Sequence, residues 1–299
     1  MPTPRGRAAR PGHRRSILVL LAVLVVAAGA AAAVVWLVAT PGGTKEPPGR
    51  STASGAGAAK GQQAKGKAKG KAKATAGSTL PLAGKVVGID PGHNGDSYTE
   101  PSVINALVFN GRTTEACDTT GTETDGGYTE AMFNFNVAQY LAADLRAEGA
   151  QVVLTRNSND GVGPCVTQRA AIINDAHANA AVDIHADGGP ATGRGFTVLE
   201  PVADGPNDGI IASSAQLAQD VRNDFATGTP MPLSTYDGTD GLQPRDDLAG
   251  LNLATERKVL IECGNMRNAT DAALLVTPAF QQQAAHALAQ ALTTFLVAS

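Results

Sequence analysis

The sequence predicts one three-layer α/β domain over residues 81–299, with a mostly parallel central sheet and helices on both faces. Two observations favour this class: short apolar runs that end in turn residues, and amphipathic stretches of ten or more residues between them. Strands that alternate with such helices pair in parallel, because the helix returns the chain to the start of the sheet. A third observation, the change in composition near residue 80, separates this domain from a transmembrane helix and a disordered linker before it.

The chain begins with a basic segment, residues 1–16, which holds five arginines and no acidic residue. Residues 17–39 follow as 23 consecutive uncharged residues, more than the roughly 20 that a helix needs to cross a bilayer. Positive charge before such a stretch predicts a single-pass signal anchor in the cell membrane, with residues 1–16 in the cytoplasm and the rest outside. Because Ala-x-Ala sites lie near residues 28–33, a cleaved signal peptide that releases a secreted protein is the alternative. Both readings predict export.

Residues 40–80 have the composition of a linker. They are rich in Lys, Ala and Gly, contain almost no residue able to build a core, and carry a net charge of +7. Such segments stay disordered, because they cannot bury enough apolar surface to offset the entropy of ordering. The lysines serve either as solubilising spacers or as a contact to an anionic wall polymer or lipid just outside the membrane.

The domain itself is predicted as five strands and four helices. The strands are KVVGID, QVVLTR, AAVDIHADG, GFTVLEP and KVLIECG, which begin at residues 85, 151, 180, 195 and 258. The helices cover residues 130–147, 167–178, 211–226 and 278–297. In the first helix, apolar side chains recur every four residues from Phe133 to Leu145, and Gly149 ends the pattern. The segment between the first strand and the first helix is predicted as a hairpin or loop.

Charge and cysteine content restrict the function. The predicted domain has 26 acidic against 11 basic residues, a net charge of −15. This charge disfavours nucleic acid as a partner, since neutralising phosphates dominates that affinity. Three cysteines in an exported protein predict one disulfide and one free thiol. Cys117 and Cys165, in Gly- and Thr-rich loop sequence, are predicted to pair, and Cys263, in an apolar strand, is predicted to stay free and buried.

Three reactive side chains lie at the ends of predicted strands. His93 follows the first strand, His185 lies near the end of the third, and Glu262 lies in the last. The carboxyl ends of parallel strands share one edge, so we expect these side chains to lie close together. A catalytic zinc takes three ligands from His, Asp, Glu or Cys. Glu130, which begins the first long helix, is the expected third ligand, and Glu262 is then left as the general base.

Each of these side chains also has an ordinary structural explanation. Taken alone, His93 fits a turn cap, and Glu130 fits a first-turn carboxylate that the helix dipole favours. His185, between two aspartates, is less ordinary. Glu262 is the hardest to explain in this way, because burying an unpaired carboxylate in an apolar strand costs several kcal/mol. The four residues are far apart in sequence, so their spacing alone leaves both explanations open.

Four stretches of the chain match, in residue type and order, the zinc-dependent N-acetylmuramoyl-L-alanine amidases of the amidase_3 type. They are VVGIDPGHNG, TEAMFNFNVAQYLAADLRAEGAQVVLTR, QRAAIINDAHANAAVDIHADG and KVLIECGNMRNATDAALL. The sequence resembles this family over residues 85–299. The resemblance implies that His93, Glu130 and His185 hold one Zn²⁺ per chain and that Glu262 is the catalytic residue.

The resemblance also implies a reaction, the hydrolysis of the amide that joins N-acetylmuramic acid to L-alanine in peptidoglycan or muropeptides. The sequence departs from the family pattern at Asn94, at Asp187-Gly188 and at residues 263–266, which affects substrate contacts but no ligand. Two other functions stay open. One is a non-hydrolytic, membrane-tethered wall-binding or regulatory protein with this fold, and the other is a different wall-directed zinc hydrolase, such as a peptidase or deacetylase.

Supporting roles have several candidates. The donor that stabilises the oxyanion is sought among Arg245, Arg169 and Asn174. The acceptors that orient the two imidazoles are sought among Asp90, Asp183 and Asp187.

Overall fold

The computed structural model describes residues 80–299. None of the helices in this part of the chain is both long enough and apolar enough to span a membrane. The predicted basic segment, the predicted transmembrane helix and all of the predicted linker except Leu80 lie outside the described residues.

A six-stranded sheet forms the centre of the domain. Its strands are β1 (Val86–Pro91), β4 (Gln151–Leu154), β5 (Ala180–Asp187), β6 (Thr197–Pro201), β7 (Leu242–Arg245) and β8 (Lys258–Asn265), and a separate hairpin is made of β2 (Leu107–Phe109) and β3 (Thr114–Ala116). The strand order in the sheet is β4-β1-β5-β8-β6-β7. The first four strands in this order are parallel, whereas β6 runs antiparallel to β8 and carries β7 parallel to itself. The prediction of a mostly parallel sheet is confirmed.

Helices cover both faces of this sheet. They are α1 (Pro101–Ile104), α2 (Glu130–Ala147), α3 (Val166–Asp175), α4 (Ile211–Gly228), α5 (Ala249–Asn252), α6 (Ala269–Leu275) and α7 (Pro278–Ala298). α2, α4 and α7 pack together on one face over the large apolar core, and α3 and α5 lie on the other. The predicted three-layer arrangement is therefore confirmed.

Side chains of the central strands alternate between the two faces, because successive residues of a strand point in opposite directions. On β5, Ile184 is buried in the core with α2, α4 and α7, whereas Asp183 and His185 point to the opposite face. β8 repeats the pattern, with Ile261 in the core and Glu262 on the opposite face. The polar side chains of the two strands thus share one face of the sheet.

The structure differs from the predicted elements in two ways. β6 is reversed because the chain between β5 and β6, residues 188–196, contains no helix that could return it to the opposite edge. β7 and the helices α1, α5 and α6 were not predicted, since α1 and α5 have only four residues each and show no periodicity. The hairpin or loop expected between β1 and α2 is observed as β2 and β3.

Candidate metal centre

Four predicted side chains meet at the carboxyl edge of the parallel strands. His93 follows β1 by two residues, and His185 lies on the neighbouring strand β5. Glu262 lies on β8 directly opposite His185 in the pairing register. Glu130 is the first residue of α2, whose start is set by Thr129 as the capping residue. The chain therefore brings all four residues to one place from separate elements.

Three of these side chains form a candidate metal site. His93, Glu130 and His185 each offer one ligand atom, and these atoms lie within 4.8 Å of one another. The Nε2 of His93 is 3.3 Å from the Oε2 of Glu130, and the Nδ1 of His185 is 2.9 Å from the Oε1 of Glu130. Two imidazole nitrogens and one carboxylate are a donor set that zinc accepts. The three residues could therefore hold one metal ion.

The backbone around the site is shaped to admit these side chains. His93 has a φ of 58°, in the left-handed region that few residues other than Gly, Asn, Asp and His adopt. At Gly92, a Cβ would lie 2.1 Å from the Cε1 of His185, and at Gly121 a Cβ would lie 2.7 Å from the Oε2 of Glu130. Both glycines are thus required by the close approach of a ligand side chain. Costly backbone geometry of this kind clusters at functional sites.

The ring of His93 is oriented by the loop that follows β3. Its Nδ1 lies 3.1 Å from the carbonyl oxygen of Thr119 and 3.3 Å from the Oδ1 of Asp118. Because a carbonyl oxygen can only accept, Nδ1 is assigned the proton and donates it, which leaves the lone pair of Nε2 directed at Glu130 in the neutral ring. Neither Thr119 nor Asp118 was predicted from the sequence. The one feature of the sequence that could have indicated them is their position as the two residues after Cys117.

Backbone donors fix the carboxylate of Glu130. The amide of Thr122 donates to its Oε2 at 3.0 Å, and the amide of Ala186 donates to its Oε1 at 3.2 Å. Burial opposes ionisation, but His93 and His185 hold the pKa of Glu130 well below its usual value. The carboxylate of Glu130 is therefore charged and held in one position.

The site attracts positive charge. Burial disfavours the protonated ring of His93, yet the neighbouring Glu130 and Asp118 raise its pKa well above the ordinary histidine value. The same carboxylates would favour a divalent cation, which competes with the proton for the ligand atom.

Glu262 lies beside the three candidate ligands without a hydrogen bond to them. Its Oε2 is buried and has no hydrogen-bond partner within residues 80–299. Burial, followed by the charges of Glu130 and Asp187, raises the pKa of Glu262 well above its usual range. A buried carboxyl oxygen without a partner is costly in a purely structural role. Its position points to a role in chemistry.

A cleft of about 380 Å³ opens over these residues. Its polar lining consists of the four site residues together with Thr119, Thr122, Asp187 and Arg245, and its apolar lining consists of Leu199, Leu248 and Leu260. Among the described residues that line this cleft, Arg245 is the one Arg or Lys. Its Nε and Nη2 are each 2.7 Å from a carboxylate oxygen of Asp247, which holds the guanidinium in place.

The other two predicted oxyanion donors are engaged elsewhere. Arg169 is almost fully buried, and it donates to the carboxylate of Asp90 and to the carbonyl oxygens of Pro91 and His93. Asn174 donates to the carbonyl oxygen of Leu253 and is not part of the cleft lining. Of the three candidates, the structure places Arg245 alone in the cleft.

The predicted acceptors for the imidazoles also have other partners. Asp90 pairs with Arg169 at 2.7 Å, and Asp183 pairs with Lys258 at 3.0 Å. Asp187 accepts a hydrogen bond from the hydroxyl of Tyr236 at 2.8 Å. The structure differs from the prediction here because the three aspartates point from their strands toward cations and donors on the same face. The nitrogens of the two rings face Glu130, Asp118 and Thr119 instead.

The predicted disulfide is present. Cys117 and Cys165 are bridged, with their Cα atoms 4.7 Å apart, and Cys263 is free and buried, also as predicted. The bridge joins the loop that carries Asp118 to the residue that precedes α3.

Comparison with known proteins identifies the family. Residues 87–294 match the family Amidase_3, N-acetylmuramoyl-L-alanine amidase. The chain is 41% identical over 222 residues to the N-acetylmuramoyl-L-alanine amidase Rv3717 of Mycobacterium tuberculosis, covering 72% of this chain and 88% of the relative. It is similar to the solved structure of the amidase Ami1 from Mycobacterium smegmatis, with a TM-score of 0.69, 41% identity and coverage of 73% and 99% of the two chains. It is also similar to the apo form of Ami1 from Mycobacterium abscessus, with a TM-score of 0.67 and 41% identity, covering 72% of this chain and 100% of the other. The chain belongs to the N-acetylmuramoyl-L-alanine amidase family.

Proposed function

We propose that the domain hydrolyses the amide between N-acetylmuramic acid and L-alanine in peptidoglycan, using one zinc ion held by His93, Glu130 and His185. The observation that carries the proposal is the convergence of these three side chains within 4.8 Å, next to a Glu262 oxygen without a partner in the described chain. The chain is an N-acetylmuramoyl-L-alanine amidase by family, and its 41% identity to a relative named for this activity supports the same reaction.

Zinc fits the donor set. Two imidazoles and a carboxylate leave a fourth position free, as catalytic zinc sites do. When bound, zinc polarises the scissile carbonyl and lowers the pKa of a water molecule. The orphaned Oε2 of Glu262 lies in the same cleft, where such a water needs an acceptor.

Glu262 is the proposed general base and then the general acid. A carboxylate oxygen of Glu262 takes a proton from water as the water oxygen bonds to the lactyl carbonyl carbon. The same oxygen then returns the proton to the amide nitrogen, the carbon–nitrogen bond breaks, and L-alanine leaves with a free amino group. The raised pKa of Glu262 suits this exchange, because an acid–base group works best with a pKa near the working pH.

Arg245 is the proposed donor to the carbonyl oxygen as negative charge develops on it. It lines the cleft together with Glu262, and its pairing with Asp247 restricts the guanidinium to one position. Donors that are held in place before the reaction stabilise such charge at little reorganisation cost.

The N-terminal residues are proposed to tether the enzyme. In this arrangement residues 1–16 lie in the cytoplasm, residues 17–39 span the membrane, and residues 40–80 connect this helix to the catalytic domain, residues 81–299, outside the membrane. Support comes from the 23 uncharged residues that follow five arginines, and from the lysines of the linker, which suit an anionic wall polymer or lipid. Cell fractionation tests this, with full-length protein expected in membranes after a salt wash. Shortened protein in the culture fluid would indicate the alternative, cleavage of a signal peptide.

A digest of purified peptidoglycan tests the reaction. The full-length protein with zinc should release intact stem peptides that begin with a free L-alanine amino group, as identified by mass spectrometry and end-group labelling. Cleavage within the stem peptide, or release of acetate, would show a peptidase or a deacetylase instead. Binding to the wall without any new amino groups would support the non-hydrolytic alternative.

A further inference from the structure

A second and larger groove leads away from the metal centre. Its volume is about 870 Å³, within the range of pockets that hold sizeable ligands. It shares Gly121, Thr122 and Gly188 with the cleft that contains the candidate metal ligands. Cleft and groove therefore border each other, and a ligand in the groove would lie next to the reaction site.

The lining of this groove is polar but close to neutral, with one exposed aromatic ring. Tyr98 is 71% exposed at its wall. Thr120, Thr122 and Thr129 add hydroxyl groups to the lining. The charged lining residues are Glu123 and Arg267, and Arg267 already contacts the carboxylate of Asp125 at 3.2 Å. The groove thus offers an aromatic face and polar groups without strong net charge.

The lining of the Tyr98 groove suits one arm of the substrate better than the other. Its two charged residues, Glu123 and Arg267, have opposite signs, whereas the cleft combines the paired Arg245 with three carboxylates. On one side of the scissile amide lies a glycan strand of neutral N-acetylated sugars, and on the other lies a peptide with carboxylates. Sugar rings present apolar faces that pack on an aromatic ring and hydroxyls that bond to side-chain hydroxyls.

We propose that the Tyr98 groove binds the glycan strand of peptidoglycan next to the candidate metal centre. This rests on the proposed function, which supplies peptidoglycan as the substrate. The binding of glycan itself is a separate property and is measurable without catalysis.

The test is the binding of glycan strands from which stem peptides have been removed, measured by calorimetry with full-length protein. Tyr98→Ala should weaken this binding about tenfold, from the loss of one aromatic contact. Phe109→Ala is the matched control, since Phe109 is also highly exposed, at 60%, but is not part of the groove lining. The proposal would be overturned if Tyr98→Ala bound glycan as tightly as the wild type, or if Phe109→Ala lost as much affinity as Tyr98→Ala. Displacement of the glycan by free stem peptides would also overturn it.

This outcome separates from that of the proposed function. Wild-type protein that binds glycan through Tyr98 but releases no L-alanine ends would refute the amidase and retain the groove. Protein that releases these ends while Tyr98→Ala binds glycan normally would refute the groove and retain the amidase.

A second inference comes from the disulfide. Cys117 directly precedes Asp118 and Thr119, which orient His93, and the same loop reaches Thr122, whose amide holds Glu130. Two other contacts join this loop to α3. The amide of Val166 donates to the carbonyl oxygen of Cys117 at 2.8 Å, and Arg169 forms an ion pair with Asp118 at 3.6 Å. A segment that supports two candidate metal ligands is thus tied down at its first residue.

We infer that the Cys117–Cys165 disulfide positions His93 for metal binding, so that its reduction weakens metal affinity. Reduction by a dithiol breaks the sulfur–sulfur bond, adds two electrons and two protons to give two thiols, and oxidises the dithiol to its own disulfide. Released from Cys165, Asp118 and Thr119 hold the ring of His93 less firmly. By linkage, bound metal should in turn protect the disulfide from reduction.

Zinc affinity, measured by competition with a chromophoric chelator, tests this without reference to activity. Reduction with dithiothreitol, followed by its removal without air because dithiols bind zinc, should lower the zinc affinity of the wild type by at least about tenfold, the usual cost of losing a group that orients a ligand. The double variant Cys117→Ser, Cys165→Ser should show the lowered affinity with or without dithiothreitol, and it removes thiols that could themselves bind zinc. Asp118→Asn, which leaves the disulfide in place, should fall between the two. Equal zinc affinity in the oxidised wild type, the reduced wild type and the serine variant would overturn the inference.

Discussion

The two faces of the central sheet are built from the same strands and do different work. The face under α2, α4 and α7 is covered by helices of 18, 18 and 21 residues, and its side chains are apolar and closed to water. The opposite face is covered by α3 and α5, of ten and four residues, and it bears Asp183, His185 and Glu262. Incomplete cover leaves the cleft open above those polar groups.

One strand thus contributes both to the apolar core and to the polar cleft. Alternation sends every second residue of β5 and β8 into a core, where burial of apolar surface stabilises the fold. The residues between them are then free to be polar, although burying such groups is costly. The long helices compensate for this cost by completing the core on the far side.

The largest effect should come from Glu262→Gln on the open face. Turnover should fall by about three orders of magnitude, because the proposed general base is lost. Gln has nearly the same shape as Glu, so the substitution removes the charge and keeps the packing. Bound zinc and the unfolding midpoint should stay close to the wild type. Release of L-alanine ends, zinc content and thermal unfolding are the measurements.

Glu200→Gln is the matched control for this change. Glu200 lies on β6 of the same sheet but alternates to the opposite face from Leu199, which lines the cleft. Its turnover should stay within about twofold of the wild type, since it has no contact with the reacting atoms. Normal turnover in Glu262→Gln would end the assignment of the base.

On the closed face, Ile184→Ala should cost stability and spare chemistry. Ile184 is 0% exposed in the core, so the free energy of unfolding should fall by about 3 kcal/mol through lost burial and the cavity left behind. Turnover per folded molecule should not change below the new melting temperature. Urea unfolding with parallel assays measures both, and a selective loss of turnover would contradict the division of labour between the faces.

Gly92→Ala should disturb the metal site through packing alone. The added Cβ would lie 2.1 Å from the Cε1 of His185, so the ring must move and zinc affinity should fall between about tenfold and about a hundredfold. Gly209→Ala is the control, because its Cβ would have no atom within 4 Å. Unchanged zinc affinity in Gly92→Ala would show that His185 is not required in its observed position.

The smallest effect concerns acid and the ion pair beneath the site. Burial opposes ionisation of Asp90, but Arg169 and Lys258 lower its pKa from 3.8 to about 2. The folded state therefore binds this proton less readily than the unfolded state, so the pair stabilises the protein above about pH 4 and the stability is lost as the pH falls toward 2. The expected loss is about 2 kcal/mol.

Urea unfolding between pH 2 and 6, with a chelator present, measures this dependence. Asp90→Asn should be less stable than the wild type at pH 6. Its free energy of unfolding should also lack the part that the wild type loses between pH 4 and 2. Burial raises the pKa of Asp183 to about 6, so its contribution has the opposite sign, and stability from this group is lost as the pH rises toward 6. An unchanged acid profile in Asp90→Asn would show that the pair with Arg169 carries little net energy.

The predicted fold depended on local signals and was largely confirmed. The four-residue recurrence from Phe133 to Leu145 placed α2 at its observed bounds, because a helix buries one side along its length. The reversal of β6 was not predicted, although the strands predicted from residues 180 and 195 leave no room for a helix that would return the chain between them. The short helix α5 was not predicted because four residues show no periodicity.

The predicted site shows the same limit. His93, His185 and Glu262 could be found because strand ends and family motifs mark them in the sequence. The acceptors for the imidazoles were sought among nearby aspartates, and the structure shows Asp118 and Thr119 instead. Nothing in the sequence marked Tyr98 as part of a groove, because a surface aromatic residue has the same local sequence pattern whether or not it lines a groove.

Two features of the protein can be derived from its local sequence: which residues point to each face of the sheet, and which side chains reach its carboxyl edge. Both follow from the period of two along a strand and from the turn residues that end it. Three further features arise only in the folded chain: the groups that hold His93, the position of the open cleft, and the Tyr98 groove beside it. Those features depend on contacts such as that between His93 and Asp118, 25 residues apart, which no local preference of the chain encodes.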